Sequence, residues 1–160
     1  MIFVTVGTQL PFDRLIRAID AWAGDSGTGD VFAQIGPTEY EPDHIAWTRD
    51  LDPAGFSTRV READLIIAHA GMGTIITALR NHAQLIVVPR HADKGEHRND
   101  HQIATVRELS ERGLIHAAHD EDELIRMLGD RTSLPTLPEL PDFANDDLLG
   151  FVRGFVFGQS

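Results

Sequence analysis

Apolar residues fall along this chain in short runs that alternate with helical spacings. Ile2 to Val6 is a β-branched and aromatic run ending at Gly7, and Phe12, Leu15, Ile16 and Ile19 then recur at the spacing of one helix face. The pattern predicts strand, tight loop, helix. Val31 to Ile35 is a second run, closed by Gly36-Pro37, and Ile45 to Thr48 is a weaker third. Asp52-Pro53 marks a helix start, because an Asp N-cap accepts an amide hydrogen bond and proline at the first helical position gives up a donor that has no helical partner. Phe56, Val60 and Ala63 are that helix's inward residues. Leu65 to Ala68 and Leu85 to Val88 hold no polar residue, which is how strands covered on both faces of a parallel sheet read. Between them, His69-Ala70-Gly71-Met72-Gly73-Thr74 breaks the run, and a helix is expected from Thr74 to Asn81. After the polar stretch Arg90 to Arg98, Asn99 is expected to cap a helix carrying Ile103, Val106 and Leu109. Gly113 ends that helix before Leu114 to Ala117, and Asp120 caps a last helix reaching Gly129.

Strands and helices alternating at this spacing imply right-handed crossovers and an α/β, doubly wound, Rossmann-like parallel sheet. Ligands of such sheets lie beyond the carboxyl ends of the strands, so the loops after Val6, Ala68 and Val88 are where chemistry is expected. The body is expected to span 1–130. From 131 to 160 the chain reads as a proline-punctuated segment, Leu134-Pro135-Thr136-Leu137-Pro138, followed by a short apolar helix from Asp146 to Phe157. Leu148, Phe151, Val152 and Phe155 share one face of that helix, which suits docking on a partner or packing on its own domain.

Composition narrows the function. Hydrophobic residues make up 42% and charged residues 24%, near globular averages. The absence of Cys excludes a disulfide framework, a thiolate zinc site and a cysteine nucleophile. With 25 acidic against 14 basic residues the net charge is -11, which argues against nucleic-acid binding by phosphate neutralisation. Any phosphate must be held locally. The first residues have no basic leader pattern and no stretch approaches the ~20 apolar residues of a membrane span, so a cytoplasmic protein is expected.

Gly7-Thr8 is able to offer backbone amides to an anion ahead of the first helix, and Gly71, Gly73 and Thr74 do so at the mouth of a central strand. The glycine patterns of dinucleotide binding and of the P-loop are absent, which lowers NAD-linked redox chemistry and P-loop phosphoryl transfer. His91, His97 and His101 invite a metal reading, since His97 and His101 are four apart. Their neighbours Asp93, Glu96 and Asp100 complete no recognised ligand pattern, and no metal is expected. Arg90, Lys94 and Arg98 are the cations available to a departing diphosphate.

Taken together, Val4-Thr5-Val6-Gly7-Thr8, His69-Ala70-Gly71-Met72-Gly73-Thr74 and Gly95-Glu96-His97-Arg98-Asn99-Asp100-His101-Gln102 resemble the carboxyl-terminal, donor-binding half of a GT-B glycosyltransferase of family 28. The likeness is to its one-domain members: the cytosolic subunit of the dolichol-linked N-acetylglucosamine transferase and bacterial exopolysaccharide glycosyltransferase subunits. It covers about 1–130. The resemblance implies a nucleotide-sugar donor, usually a UDP-sugar, bound as substrate with no cofactor. It also implies a separate membrane-associated, acceptor-binding subunit that supplies the general base and recruits this chain to the inner face of a membrane. By motif position, Thr8, His69, Gly71, Met72, Gly73 and Thr74 are expected at the donor diphosphate and His101 and Gln102 at the donor sugar, with Gly7, Arg98 and Asn99 also among the donor-binding residues. Thr77 stands where many such domains carry a glutamate for the ribose, which leaves nucleotide choice less constrained than the fold. Two alternatives remain: a non-catalytic nucleotide-sugar-binding regulatory module, and a nucleotide-sugar 2-epimerase, which needs a second attached domain that 160 residues do not accommodate.

Overall fold

The computed structural model describes residues 1–138 and 150. Six parallel strands, β1 (Ile2–Thr5), β2 (Val31–Gln34), β3 (Ala46–Thr48), β4 (Leu65–His69), β5 (Gln84–Val88) and β6 (His116–Ala117), form one sheet in the order β3-β2-β1-β4-β5-β6. The helices are α1 (Asp13–Ser26), α2 (Pro53–Glu62), α3 (Met72–Arg80), α4 (His101–Glu111) and α5 (Glu121–Gly129). Short 3-10 turns lie at Ala92–Lys94 and Arg131–Ser133. This is the doubly wound, Rossmann-like sheet the alternation predicts. Its strand order reverses between β1 and β4, where a crevice opens at the carboxyl ends.

Alternation of side chains along each strand divides the core in two. Val4, Ile67 and Ile86 point to the face covered by α1 and α5, where they meet Leu15, Ile19 and Leu124. Phe3, Ile66 and Leu85 point to the other face and pack with Val60, Ile75, Val106 and Leu109 of α2, α3 and α4. The ring of Phe3 sits edge-on to Phe56 at 5.6 Å between centroids. Among the described residues no helix is long and apolar enough to cross a membrane.

Several boundaries differ from the sequence reading, each for a local reason. The third helix begins at Met72, with Gly71 as its N-cap, rather than at Thr74, because the Gly71 carbonyl already accepts from the Ile75 amide at 3.0 Å. Helix α4 begins at His101 with Asp100, not Asn99, in the N-cap position. The Asn99 carboxamide still accepts from the His101 amide at 3.1 Å, while the Asp100 carboxylate is taken by the Ala92 amide at 3.0 Å. The sixth strand shrinks to His116–Ala117, since Gly113, at φ +68°, turns the chain and Leu114 donates back to the Leu109 carbonyl. Asp52 and Asp120 cap as their sequence signatures require, accepting from the Gly55 and Glu123 amides at 2.7 and 2.8 Å. Beyond α5, Leu134 packs against the α1 and α5 side of the core and Leu137 against the other. The apolar helix expected at 146–157 lies outside the described residues.

Helix α1 also fixes the loop between β2 and β3. Asp20, nearly fully buried, accepts from the Tyr40 hydroxyl at 2.6 Å and from the Asp43 and His44 amides at 3.1 and 2.8 Å. Burial alone raises its pKa, but these three donors and the His44 ring outweigh it and hold the carboxyl below its usual 3.8. Its stabilising contribution is therefore present above pH 3.8 and is lost as pH falls through the lower folded value. Asp20→Asn is expected to lose about 1–3 kcal/mol of urea-unfolding stability at pH 7. The gap to wild type should narrow as pH falls below the ordinary carboxyl range; a gap constant down to pH ~2 contradicts the charged role assigned to Asp20.

Candidate functional site

A cleft of about 700 Å³ lies over the carboxyl ends of β1, β2, β4 and β5. At its centre is His69, the last residue of β4 and about nine-tenths buried. The imidazole fills space left by two missing side chains. A Cβ at Gly71 would lie 2.1 Å from Nε2, and one at Gly7 would lie 2.9 Å from Cε1, where Gly7 also holds φ at +75°. Both glycines are thus required by His69, in addition to any ligand. Burial pushes the His69 pKa down to about 4, and the charge of Arg90 and the nearby His97 add to the effect against an opposing contribution from the Thr5 backbone. The ring is neutral at physiological pH, and Nδ1 is buried without a hydrogen-bond partner among the described residues.

Across His69 from the β1 loop, helix α3 points its amino terminus into the cleft. Its first internal bond is donated by Ile75, so the amides of Met72, Gly73 and Thr74 precede that bond and remain available to an anion. Gly73 borders the cleft, and an added Cβ there would meet nothing within 4 Å. The β1 loop is held by Arg90, whose Nη2 donates to the carbonyls of Val6 and Leu10 at 2.8 and 2.6 Å. The guanidinium carbon lies 5.1 Å from the Phe12 ring centroid, and the Arg90 amide donates to Gln102 Oε1 at 3.0 Å. Burial lowers the Arg90 pKa to about 10, with Glu96 opposing, which leaves it cationic at neutral pH.

A second ionic cluster anchors the segment after β5. Glu96 receives Arg14 Nε and Nη2 at 2.7 and 3.0 Å and the His91 amide at 3.0 Å. Burial raises the Glu96 carboxyl, but these donors outweigh it and hold it below the ordinary range. Arg14 also reaches Glu121 Oε2 at 3.1 Å and the Pro89 carbonyl at 3.2 Å, tying α1, α5 and this segment together.

Of the residues expected in the site, Gly7, Thr8, His69, Gly71, Gly73, Thr74 and Gln102 line the cleft. Met72, Arg98, Asn99 and His101 do not; Met72 packs partly on the core, and the other three side chains are exposed. Of the three candidate cations only Arg90 borders the cleft, and Lys94 and Arg98 are exposed. Thr77 lines it, but its hydroxyl donates to the Gly73 carbonyl at 2.8 Å and is committed to its own helix. Sequence reading gave no ligand contact to Gln34, Ser57, Leu51, Pro53 or Phe56 and weighed His97 only as a metal ligand, yet all six line the cleft. No Asp or Glu lines the cleft among the described residues, although the chain carries 25.

The family model of the glycosyltransferase family 28 C-terminal domain matches residues 1–135. The chain belongs to that family. Solved structures share its fold. The solution structure of ALG13 superposes with a TM-score of 0.65 at 20% identity, over 97% of this chain and 94% of that one. MurG from Acinetobacter baumannii matches 82% of this chain with a TM-score of 0.57 at 19% identity, and the glycotransferase of kitacinnamycin matches 97% with 0.62 at 16%. This family 28 domain spans 41% and 39% of those two longer proteins, corresponding to the carboxyl-terminal half of a GT-B glycosyltransferase.

Because His69 is buried neutral, protonation favours the unfolded chain between the ordinary value of 6.5 and about 4. Its contribution to stability is complete above pH 6.5 and is lost as pH falls toward 4. A side-chain NMR titration is expected to give His69 a midpoint near 4, and Gly71→Ala, by driving the ring out of its niche, to move that midpoint back toward 6.5. A wild-type midpoint at 6.5 contradicts the burial described.

Proposed function

We propose that the cleft binds the diphosphate of a nucleotide-sugar donor, with a UDP-sugar as first choice. The observation that carries this reading is the pairing of the α3 amino terminus with the Gly7-Thr8 loop across a neutral His69, beside a buried Arg90. Amides, a helix dipole and one fixed cation favour a dianion there, and a wall free of acidic side chains among the described residues adds no repulsion. In transfer, the same groups stabilise the nucleoside diphosphate as the anomeric bond breaks, without reorganising.

The ends of the strands suggest an orientation. From the centre, one arm of the cleft runs toward β2 and α2 and is lined by Gln34, Leu51, Pro53 and Phe56; the other runs toward β5 and α4 and is lined by Arg90, His97 and Gln102. The apolar arm suits the nucleoside and the polar arm the sugar.

In this reading the chain is the donor-binding subunit of a heteromeric hexosyltransferase that makes a lipid-linked glycan or exopolysaccharide. A membrane-associated subunit binds the acceptor, supplies the general base and recruits this chain to the membrane's cytoplasmic face. Family membership and the fold likeness to ALG13 support a glycosyltransferase role.

Titration of the isolated chain with UDP, without added metal, is expected to move the amide signals of Gly7, Thr8, Gly71 to Thr74 and Gln102. Saturating UDP with no movement in these loops overturns the donor-site reading. Gly73→Val directs a branched side chain into open cleft rather than into the core, so it should keep the fold and weaken UDP at least about tenfold. Activity toward UDP-sugars, measured with the native partner, separates a transferase subunit from a regulatory nucleotide-sugar sensor.

A further inference from the structure

Gln34 is the last residue of β2, is 2% exposed and borders the cleft. A polar side chain this deeply buried needs its hydrogen-bonding groups accounted for. One half is satisfied within the fold. Gly7 N donates to Thr5 Oγ1 at 3.3 Å, and Thr5 Oγ1 donates to Gln34 Oε1 at 2.8 Å. The direction of this relay fixes the carboxamide orientation. If the amide were turned over, Thr5 Oγ1 would receive from both Gly7 and Gln34, and its own proton would have no acceptor among the described residues. Gln34 Nε2 therefore faces away from Thr5, and no described residue accepts either of its protons.

The surroundings select what could accept them. Gln34 belongs to the arm walled by Leu51, Pro53 and Phe56, which suits a flat, largely apolar ring. The arm on the far side of Gly7 and Gly71 holds Arg90, His97 and Gln102. A nucleoside diphosphate with its phosphates at the α3 amino terminus extends its base along the apolar arm, where one oriented N–H donor meets the base edge.

We infer that Gln34 is a specificity-determining residue that reads the nucleobase, donating from Nε2 to a ring carbonyl oxygen. Uracil, thymine, cytosine and guanine carry such a carbonyl; adenine does not. The inference rests on the nucleotide reading above and adds to it a discrimination built on one buried amide. Adenine offers only ring nitrogens, which lie about 1.2 Å nearer the ring than a carbonyl oxygen does, so a donor placed for the oxygen pairs poorly with it, and polar readout of this kind discriminates between bases.

The test uses the full chain with three probes: UDP, ADP and inorganic pyrophosphate. Wild type should bind UDP at least about tenfold more tightly than ADP. Gln34→Met should bring the UDP to ADP ratio toward one while leaving pyrophosphate affinity within about threefold of wild type. The substitution also leaves the Thr5 hydroxyl without its acceptor, so a second measurement on the unaltered protein avoids dependence on the variant's folding. In wild type, the side-chain amide signals of Gln34 should move with UDP and stay in place with pyrophosphate. Equal wild-type affinity for UDP and ADP, an unchanged ratio in a folded Gln34→Met, or Gln34 signals that ignore UDP each overturn the inference. Pyrophosphate and nucleotide binding without base preference leave the diphosphate site standing and remove only the role of Gln34. Failure of all three probes to bind removes both.

Discussion

The site is organised around one imidazole packed where two side chains are missing. His69 ends the central strand β4, and its ring occupies the volume that a Cβ at Gly7 or Gly71 would need. These glycines belong to the two loops that part at the reversal of strand order, so the ring sets how far apart those loops stand. The spacing determines where the α3 amides and the Gly7-Thr8 segment face each other. Burial has an electronic consequence as well. A ring held neutral down to about pH 4 adds no charge to the centre of the cleft, and the positive potential there comes from the helix terminus and Arg90.

Electrostatics in this acidic chain are sorted by location. Arg90 is nearly fully buried, and its guanidinium meets two main-chain carbonyls and an aromatic face rather than a carboxylate. A carboxylate partner would have neutralised it; the two carbonyls take the protons of Nη2 and leave the net charge, while Nε has no partner among the described residues. Arg14 is used in the opposite way. Its fork closes on Glu96 and reaches Glu121, which turns charge into a fastening between α1, α5 and the segment after β5. The two arginines converge on the end of β5: Arg90 from its own chain position, Arg14 through the Pro89 carbonyl. Acidic side chains are thereby consumed outside the cleft.

Much of the fold was legible because the sheet is buried on both faces. Leu65 to Ala68 and Leu85 to Val88 read as strands without help from context, and Asp52 and Asp120 announced their helices by the chemistry of a cap. Errors fell where two local solutions compete. Asn99 and Asp100 both accept an amide, but Asp100 reaches back to Ala92, and the helix start follows that longer-range bond. In the site, glycine pairs and strand ends pointed to Gly7, Gly71 and Gly73, and all three line the cleft. Arg98, Asn99 and His101 were expected on motif position, yet they stand exposed outside the cleft while His97 borders it. Their placement is set by the Glu96 anchor 82 positions from Arg14 in sequence, and no pattern within the segment itself encodes that contact.

Gln34 illustrates a different limit. A glutamine at the end of an apolar strand reads as an ordinary strand edge, and only the sheet register, which sets Thr5 beside Gln34, converts it into an oriented donor. Two residues further along the same chain, the Gly7 amide donates to that Thr5 hydroxyl, so the loop that faces the diphosphate and the amide that faces the base arm are parts of one hydrogen-bonded relay. A parallel sheet gives this coupling at little conformational cost, because adjacent strands end at the same level and their last side chains on one face are neighbours. Recognition at the two ends of a nucleoside diphosphate is thereby linked through the sheet edge itself, and a change at Thr5 would act on both the Gly7 loop and Gln34 without touching a ligand.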